Sequence, residues 1–363
     1  MPLTRLTLSH LRNLDSVDIS PVADLNIFYG DNGSGKTSLL EAIHIICRGT
    51  SFRSKSIRPI VQHNQKSITL FTELSRNDSI IPLGMERLAN GGGRIRIAGK
   101  NTTRLADLLE LIPIQFIGPD LQKVLEQGPK PRRNLLDWGV FHVEQNFHPT
   151  WNRYNKLLKQ RNAALRKSTD KASICCWDHE LIKYALQLTE LRERYLTAIN
   201  DSLLSNISSL LDSDVTYSFN RGWSKDHSID EVLISTYESD RKRGYTQYGP
   251  QRADLNFFVD GKPVADKFSR GQLKLLVVAF KLAQVEMLNS KRPDQRCIFL
   301  MDDLPAELDK NNRSLVLSKL LDCNAQLFVT TTDSDLIDYS SVDSNKDKKM
   351  FHVERGLITE VVQ

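Results

Sequence analysis

The chain has 363 residues, 40% of them hydrophobic and 26% charged. That is the composition of a folded globular protein of about two domains, and it excludes disordered, collagen-like and disulfide-scaffold classes. Lys and Arg number 49 against 44 Asp and Glu, a net charge of +5 that points to a partner only if the excess is clustered.

Cys47, Cys175, Cys176, Cys297 and Cys323 include no C-x-x-C pair and no Cys/His group at zinc spacing, which predicts small buried thiols in a reducing compartment. No apolar stretch approaches the roughly 20 residues of a membrane span. The first residues alternate apolar and polar and lack the apolar run of a signal peptide, so a cytoplasmic protein without a membrane partner is expected.

In chain order, residues 3–8 alternate as a strand, and residues 25–29 form a short apolar run entering a glycine-rich turn. Residues 68–117 are β-rich, with a hairpin connection over 90–93. From Trp151 the pattern turns helical, with Trp151, Tyr154, Leu158 and Leu165 on one face. Residues 168–173 read as a break. A longer helix follows, carrying Leu181, Tyr184, Leu188, Leu191, Tyr195, Ile199, Leu203, Ile207 and Leu210 at three- and four-residue steps. Two such helices around a short connector fit either an antiparallel arm or a pair packed on a globular core. Strands at 215–219, 254–259, 297–301 and 326–329 alternate with helices at 271–288 and 312–321, which favours a mostly parallel α/β sheet. The polar run 343–349 reads as a solvated loop, and Trp138, Trp151 and Trp177 as core. His44, without partners at metal or triad spacing, reads as a packing or polar contact on the first helix.

Gly30, Asp31, Asn32, Gly33, Ser34, Gly35, Lys36 and Thr37 fit G-x-x-x-x-G-K-[ST] at every fixed position, between a strand and a helix. The glycines let backbone N–H groups surround phosphate oxygens, Lys36 supplies a mobile positive charge, and the Thr37 hydroxyl can ligate Mg²⁺. The helix N-terminus faces the same anion. ATP with Mg²⁺ is the expected cofactor. The second acid such a site requires is Asp302, closing the apolar run 297–301, with Asp303 beside it to orient or deprotonate the attacking water.

Upstream lies Ser269, Arg270, Gly271, Gln272, opening a helix with Ser269 as N-cap. This run resembles the S-G-G-Q signature of ABC-type ATPases, with Arg270 where glycine is usual. Ala306, Glu307, Leu308 and Asp309 resemble the D-loop of that superfamily. The resemblance implies that Ser269 serves a nucleotide held by a second subunit, hence an ATP-dependent homodimer, and Gln115 falls at the Q-loop position.

The full length resembles the RecF family of the SMC/Rad50-like group. The matching text includes Leu6, Leu8, Leu11, Arg12, Asn13 and Leu14; Ser51, Phe52 and Arg53; Pro119 and Asp120; residues 128–138; Arg161 and Asn162; and residues 249–254. This resemblance implies an ABC-type α/β ATPase head of mixed sheet and flanking helices with an inserted helical arm. The head spans 1–140 and 241–363, and the insertion 141–240. It further implies a weak, DNA-stimulated ATPase of recombinational repair. ATP would close it as a dimer on gapped DNA to promote RecA loading with RecO and RecR, and slow hydrolysis would release it. Asp303, one methylene shorter than the usual Glu, is consistent with slow turnover. Residues 329–333 carry threonines where a switch histidine often stands, and no catalytic role is assigned to them.

Two other classes compete. A transport motor would need a membrane partner and a compact helical insertion, and a P-loop kinase would leave Ser269–Gln272 unexplained. Residues 42–72 and 145–169 contain no acid but 5 and 6 basic residues respectively. Among these, Arg53, Lys55, Lys156, Lys159 and Arg166 are candidates for sequence-independent contact with single-stranded and duplex DNA. Arg53, shortly after the P-loop helix, could equally contact nucleotide.

Overall fold

In the computed structural model, described for residues 1–77, 79–167, 170–337 and 345–361, the chain forms two compact units. One is Met1–Leu121 with Leu288–Gln363, the other Gln122–Met287.

The first unit holds a six-stranded sheet in the order Leu357–Val361, Lys348–Glu354, Leu25–Tyr29, Gln326–Thr331, Ile298–Met301, Ile114–Ile117. All pairings are parallel except that of the edge strand Leu357–Val361. Ile298–Met301 and Gln326–Thr331 are buried at every position, as strands covered on both faces must be. A second, antiparallel sheet runs in the order Leu14–Ile19, Leu3–Leu11, Ser67–Arg76, Ser79–Leu88, Gly93–Ile97, Lys100–Thr102. One of its faces carries Leu6, Leu8, Ile68, Leu70 and Leu83 into the core, following the two-residue period of the chain. Helix Lys36–Arg48 packs between the sheets, with Leu39, Ile43 and Ile46 in one cluster with Leu6, Leu70, Leu300 and Phe328. Each such side chain contributes about 1.5–3 kcal/mol of burial, so the helix that starts at the P-loop is held along nearly its whole surface.

The second unit combines helices Pro129–Val143, Phe147–Lys167 and Asp178–Leu210 with a small sheet, Lys262–Pro263, Asp254–Val259, Val215–Asn220. Helix Asp178–Leu210 buries eight of the nine predicted positions; Tyr184 instead takes Arg153 and Lys183 against its ring. On Phe147–Lys167 the buried stripe is Phe147, Thr150, Tyr154, Leu157, Arg161 and Leu165. The expected face is therefore rotated: Trp151 is 41% exposed and does not belong to the core. The cause is Arg161, a basic residue that fills a core position because acids from other segments meet it there. Its Nε donates to Asp178 at 2.6 Å and its Nη1 to Asp240 at 2.9 Å and Thr246 at 2.7 Å. Arg192 grips Asp137 through two bonds of 2.8 Å, and Arg132 grips Asp254 at 2.8 and 2.9 Å. Paired, hydrogen-bonded charges of this kind are the form in which ions can be buried.

Other local expectations shift. Cys47 and Cys297 are buried, but Cys175 and Cys323 are half-buried and Cys176 is exposed, since each of the latter ends a helix. Of the break over 168–173, residues 168 and 169 lie outside the described residues; Asp170 caps helix Lys171–Cys175 through the Ala172 and Ser173 amides. Residues 343 and 344 of the expected loop also lie outside them, and Lys348 and Lys349 already belong to a strand, paired with Leu25 and Asn26.

Candidate nucleotide site

Strand Leu25–Tyr29 runs into Gly30, whose φ is 146° and whose Cβ, were there one, would lie 2.2 Å from the Val353 carbonyl oxygen. At Gly35, φ is 124° and a Cβ would meet Leu14 at 2.8 Å. Neighbouring strands thus force both glycines, beyond what the phosphate motif alone asks. Helix Lys36–Arg48 begins at the next residue and ends on Gly49 in the left-handed conformation.

Lys36 is buried, and its ammonium donates to the Gly30 oxygen at 2.6 Å and the Asp31 oxygen at 2.8 Å. Burial lowers its pKa, opposed by the charges of Asp303, Asp302 and Asp31. The Thr37 hydroxyl donates to Asp302 Oδ1 at 2.9 Å, across 265 positions of sequence. Thr330 donates to the same oxygen at 2.9 Å and accepts from the Asp303 amide at 2.8 Å. Asp303 sits in the left-handed region, φ 50°, an uncommon conformation for a residue with a side chain. Together these groups line a cleft of about 460 Å³ with Arg12, Asn13, Asn32, Gly33, Ser38, Arg53 and Pro119.

Thr330 was not singled out by sequence. The threonines there are unremarkable until the strand order sets Gln326–Thr331 between the P-loop strand and the strand ending at Asp302. Arg12 and Asn13 were visible only as part of the family likeness. Asn13 Nδ2 donates to the Gly33 oxygen at 3.2 Å and its Oδ1 accepts from Ser38 at 2.9 Å, tying the first hairpin to the P-loop. Arg12 makes a bidentate pair with Glu41, which is fully buried, and Ser51 donates to the same carboxylate. That bond raises the Arg12 pKa against the opposing effect of its burial. Arg53 is exposed and lines the cleft with Nη1 3.9 Å from Glu41, beside the nucleotide site, the second of the two places its sequence position offered.

Gln115 is buried in strand Ile114–Ile117 opposite Phe299 and is not among the cleft-lining residues. Asp31, Asn32 and Gly33 are exposed on the loop.

Ser269–Gln272 belongs to the second unit, with Ser269, Arg270 and Gly271 exposed. Ser269 is an N-cap, as expected: its Oγ accepts from the Gln272 amide at 3.3 Å while Gln272 Oε1 accepts from the Ser269 amide at 2.9 Å. Asp309 caps helix Lys310–Asp322 through the Asn312 amide at 3.0 Å, and that bonding lowers its pKa. Lys55, Lys156, Lys159 and Arg166 are exposed. Two other basic residues of 145–169 are committed elsewhere, Arg161 in the core and Arg153 to Glu180.

His44 lies buried on the P-loop helix, with Nδ1 2.6 Å from the Thr50 oxygen and its ring edge-on to Phe52, which stacks on Phe116. Burial pushes its pKa down from 6.5 to about 4. The unfolded chain therefore binds the proton more readily, and stability falls as pH drops through the window from about 6.5 to about 4. The expected loss is about 2 kcal/mol by pH 5. Thermal melts at pH 7.5 and 5.0 should show a larger drop for wild type than for His44→Gln, and equal drops would contradict the assignment.

Among the described residues no cluster of three or more His, Cys, Asp or Glu side chains could hold a metal, and no helix is long and apolar enough to cross a membrane. The hard-oxygen pair of Thr37 and Asp302 fits Mg²⁺. The buried Ser34 hydroxyl, without a hydrogen-bond partner among the described residues, and a lysine resting on its own loop's carbonyls fit a phosphate chain.

A P-loop strand separated by one strand, Gln326–Thr331, from a strand ending in paired acids, in a mostly parallel sheet accompanied by an antiparallel one, defines an ATPase head of the SMC class. The family model described as "RecF/RecN/SMC N terminal domain" matches residues 2–359. The chain is 42% identical to the "DNA replication and repair protein RecF" of Shewanella halifaxensis over 99% of its own length and 98% of that relative, and 41% identical to the RecF of Shewanella amazonensis over 99% of both. A solved structure titled "Structure of the recombination mediator protein RecF-ATP in RecFOR pathway" superposes with a TM-score of 0.86 at 23% identity, covering 99% of this chain and 98% of that one. An Smc head bound to a winged-helix domain of ScpA gives 0.62 at 16% identity, covering 99% of this chain and 97% of that one. The chain belongs to the RecF family within the RecF/RecN/SMC group.

Proposed function

We propose that this protein is an ATP-dependent DNA-binding protein of replication and recombinational repair. The observation that carries the reading is the clasp in which Thr37 and Thr330 both donate to Asp302, beneath a glycine loop with Lys36 at its mouth. The names of its RecF relatives and the ATP complex of a fold neighbour support it.

In this reading the loop amides, Ser34 and Lys36 would bind the phosphates of ATP, and Thr37 and Asp302 would hold Mg²⁺. The ion, when bound, neutralises charge on the phosphate oxygens. Asp303 orients the attacking water from its fixed turn and receives its proton. Arg12 and Arg53, at the rim, place two guanidinium groups where anionic charge accumulates. Hydrolysis is weak and stimulated by DNA. The exposed signature Ser269–Gln272 and Asp309 complete the site of a second copy, so ATP drives a homodimer that closes on gapped DNA. The dimer acts with RecR and RecO in loading RecA.

Sedimentation with and without ATP and gapped DNA tests this. Wild type should dimerise with ATP and stay on DNA. Lys36→Arg should dimerise yet release poorly because hydrolysis is impaired. Ser269→Arg should remain monomeric while still binding ATP. A wild type that stays monomeric with ATP and ignores gapped DNA rejects the reading.

A further inference from the structure

The second unit carries a cationic rim that the site above does not use. Helix Tyr237–Arg243 ends in Arg241, Lys242 and Arg243, all exposed and without an ion pair among the described residues. Gly244 follows in the left-handed conformation, and its carbonyl accepts from Arg166 Nη1 at 3.1 Å, bringing the end of helix Phe147–Lys167 to the same place. Tyr245 and Tyr248 come next, 36% and 43% exposed, with the Arg252 guanidinium 5.6 Å from the Tyr245 ring centre.

The segment is pinned and one of its two acids is removed from the surface by the same contacts. Asp240, the acid preceding the three cations, is turned inward onto Arg161 and receives the Gln247 amide at 3.1 Å. Thr246 donates its amide at 2.8 Å and its hydroxyl at 2.9 Å to Asn162 Oδ1. Asp240 thus neutralises the core and the segment is pinned; the outward groups are three cations and two aromatic rings, with Glu238 exposed one turn earlier.

We propose that this rim, Arg166, Arg241–Arg243 and Arg252 around Tyr245 and Tyr248, is a binding site for single-stranded nucleic acid. Bases stack on the tyrosine rings and phosphates run along the cations. A duplex keeps its bases stacked inside and has no use for the rings, and an acidic polypeptide would use the cations alone; the exposed rings favour the single strand. The site lies apart from Lys156 and Lys159 in its chemistry, and it deepens the DNA reading above without requiring the ATP site.

The test is fluorescence anisotropy of a labelled oligo-dT and of a duplex of equal length, on the full chain. Tyr245→Ala with Tyr248→Ala should weaken oligo-dT binding by at least about 30-fold, for two stacked bases lost. Duplex binding should change less than about twofold, and the Tyr→Phe pair should restore the single-strand affinity. Replacing Arg241, Lys242 and Arg243 by Gln should lower the salt slope for oligo-dT by about 2, for three phosphates released. Thermal melts control for folding. Equal loss on both DNAs, no loss with alanine, or competition by polyglutamate that ignores the tyrosines would each overturn the proposal. These titrations are run without nucleotide, so failure of the ATP reading leaves this result legible by itself.

Discussion

Asp302→Asn is expected to lower ATP hydrolysis by a factor on the order of 10³ while leaving the melting temperature nearly unchanged. The asparagine is isosteric, and its amide oxygen can still accept the two hydroxyl bonds, from Thr37 and Thr330, that now converge on Asp302 Oδ1. What it cannot do is supply the negative charge that completes a magnesium site, an effect worth several kcal/mol in the transition state. The distinction matters because Asp302→Ala would confound the two causes: it leaves the half-buried Thr37 hydroxyl and the buried Thr330 hydroxyl without this acceptor, the latter a loss of about 1–3 kcal/mol. Steady-state phosphate release across a Mg²⁺ titration, beside thermal melts, separates them. Turnover within tenfold of wild type at saturating Mg²⁺ would remove Asp302 from the site.

Arg161→Met is expected to destabilise the second unit by about 3–5 kcal/mol. The arginine is completely buried, and Asp240, equally buried, depends on it for neutralisation. Methionine matches the length of the aliphatic stem, so little of the loss is packing; the larger part is an uncompensated buried carboxylate. In a unit of this size that corresponds to a fall in Tm of roughly 6–20 °C. The pair is shielded from solvent, so added salt should not reduce the difference between variant and wild type, as it would for a surface pair. Adding Asp240→Leu and Asp178→Asn should recover much of the loss, since an apolar replacement of a whole buried ionic group is often neutral. Urea unfolding measures both, and a single-variant loss below about 1 kcal/mol would show that the network carries no such weight.

Much of the site was legible because its parts are contiguous. Residues 30–37 name themselves by spacing, and the apolar run before Asp302 reads as a buried strand whichever sheet receives it. Ser269 reads as a helix cap from its own neighbours, and its bonds to Gln272 are local. The helices at 147–167 and 178–210 were legible from periodicity, though not their exact faces. The misreading of Trp151 has one cause: a hydrophobicity rule assigns tryptophan inward and says nothing for an arginine there. The inward arginine is specified by Asp178 and Asp240, 17 and 79 residues further along.

The charge excess shows the same division. Counting located acid-free segments, but proximity reassigns their members: Arg53 goes to the nucleotide cleft, Arg153 to Glu180, and Arg161 to the core. The outward cations Arg241–Arg243, by contrast, lie in a segment that also contains acids, and the inward turn of Asp240 leaves three cations against the one exposed acid, Glu238.

By itself, then, the amino-acid sequence determined the phosphate loop, the acidic strand end, the capped signature helix and the family likeness, because propensity, capping and hydrophobic period act over a few residues. Only the tertiary structure decided that Thr330 stands beside Asp302 and that Glu41 gathers Arg12 and Ser51. Those outcomes depend on strand order and on partners far apart in the chain. No local preference encodes which strand lies next to which; that is settled by the joint burial of both sheets against the P-loop helix.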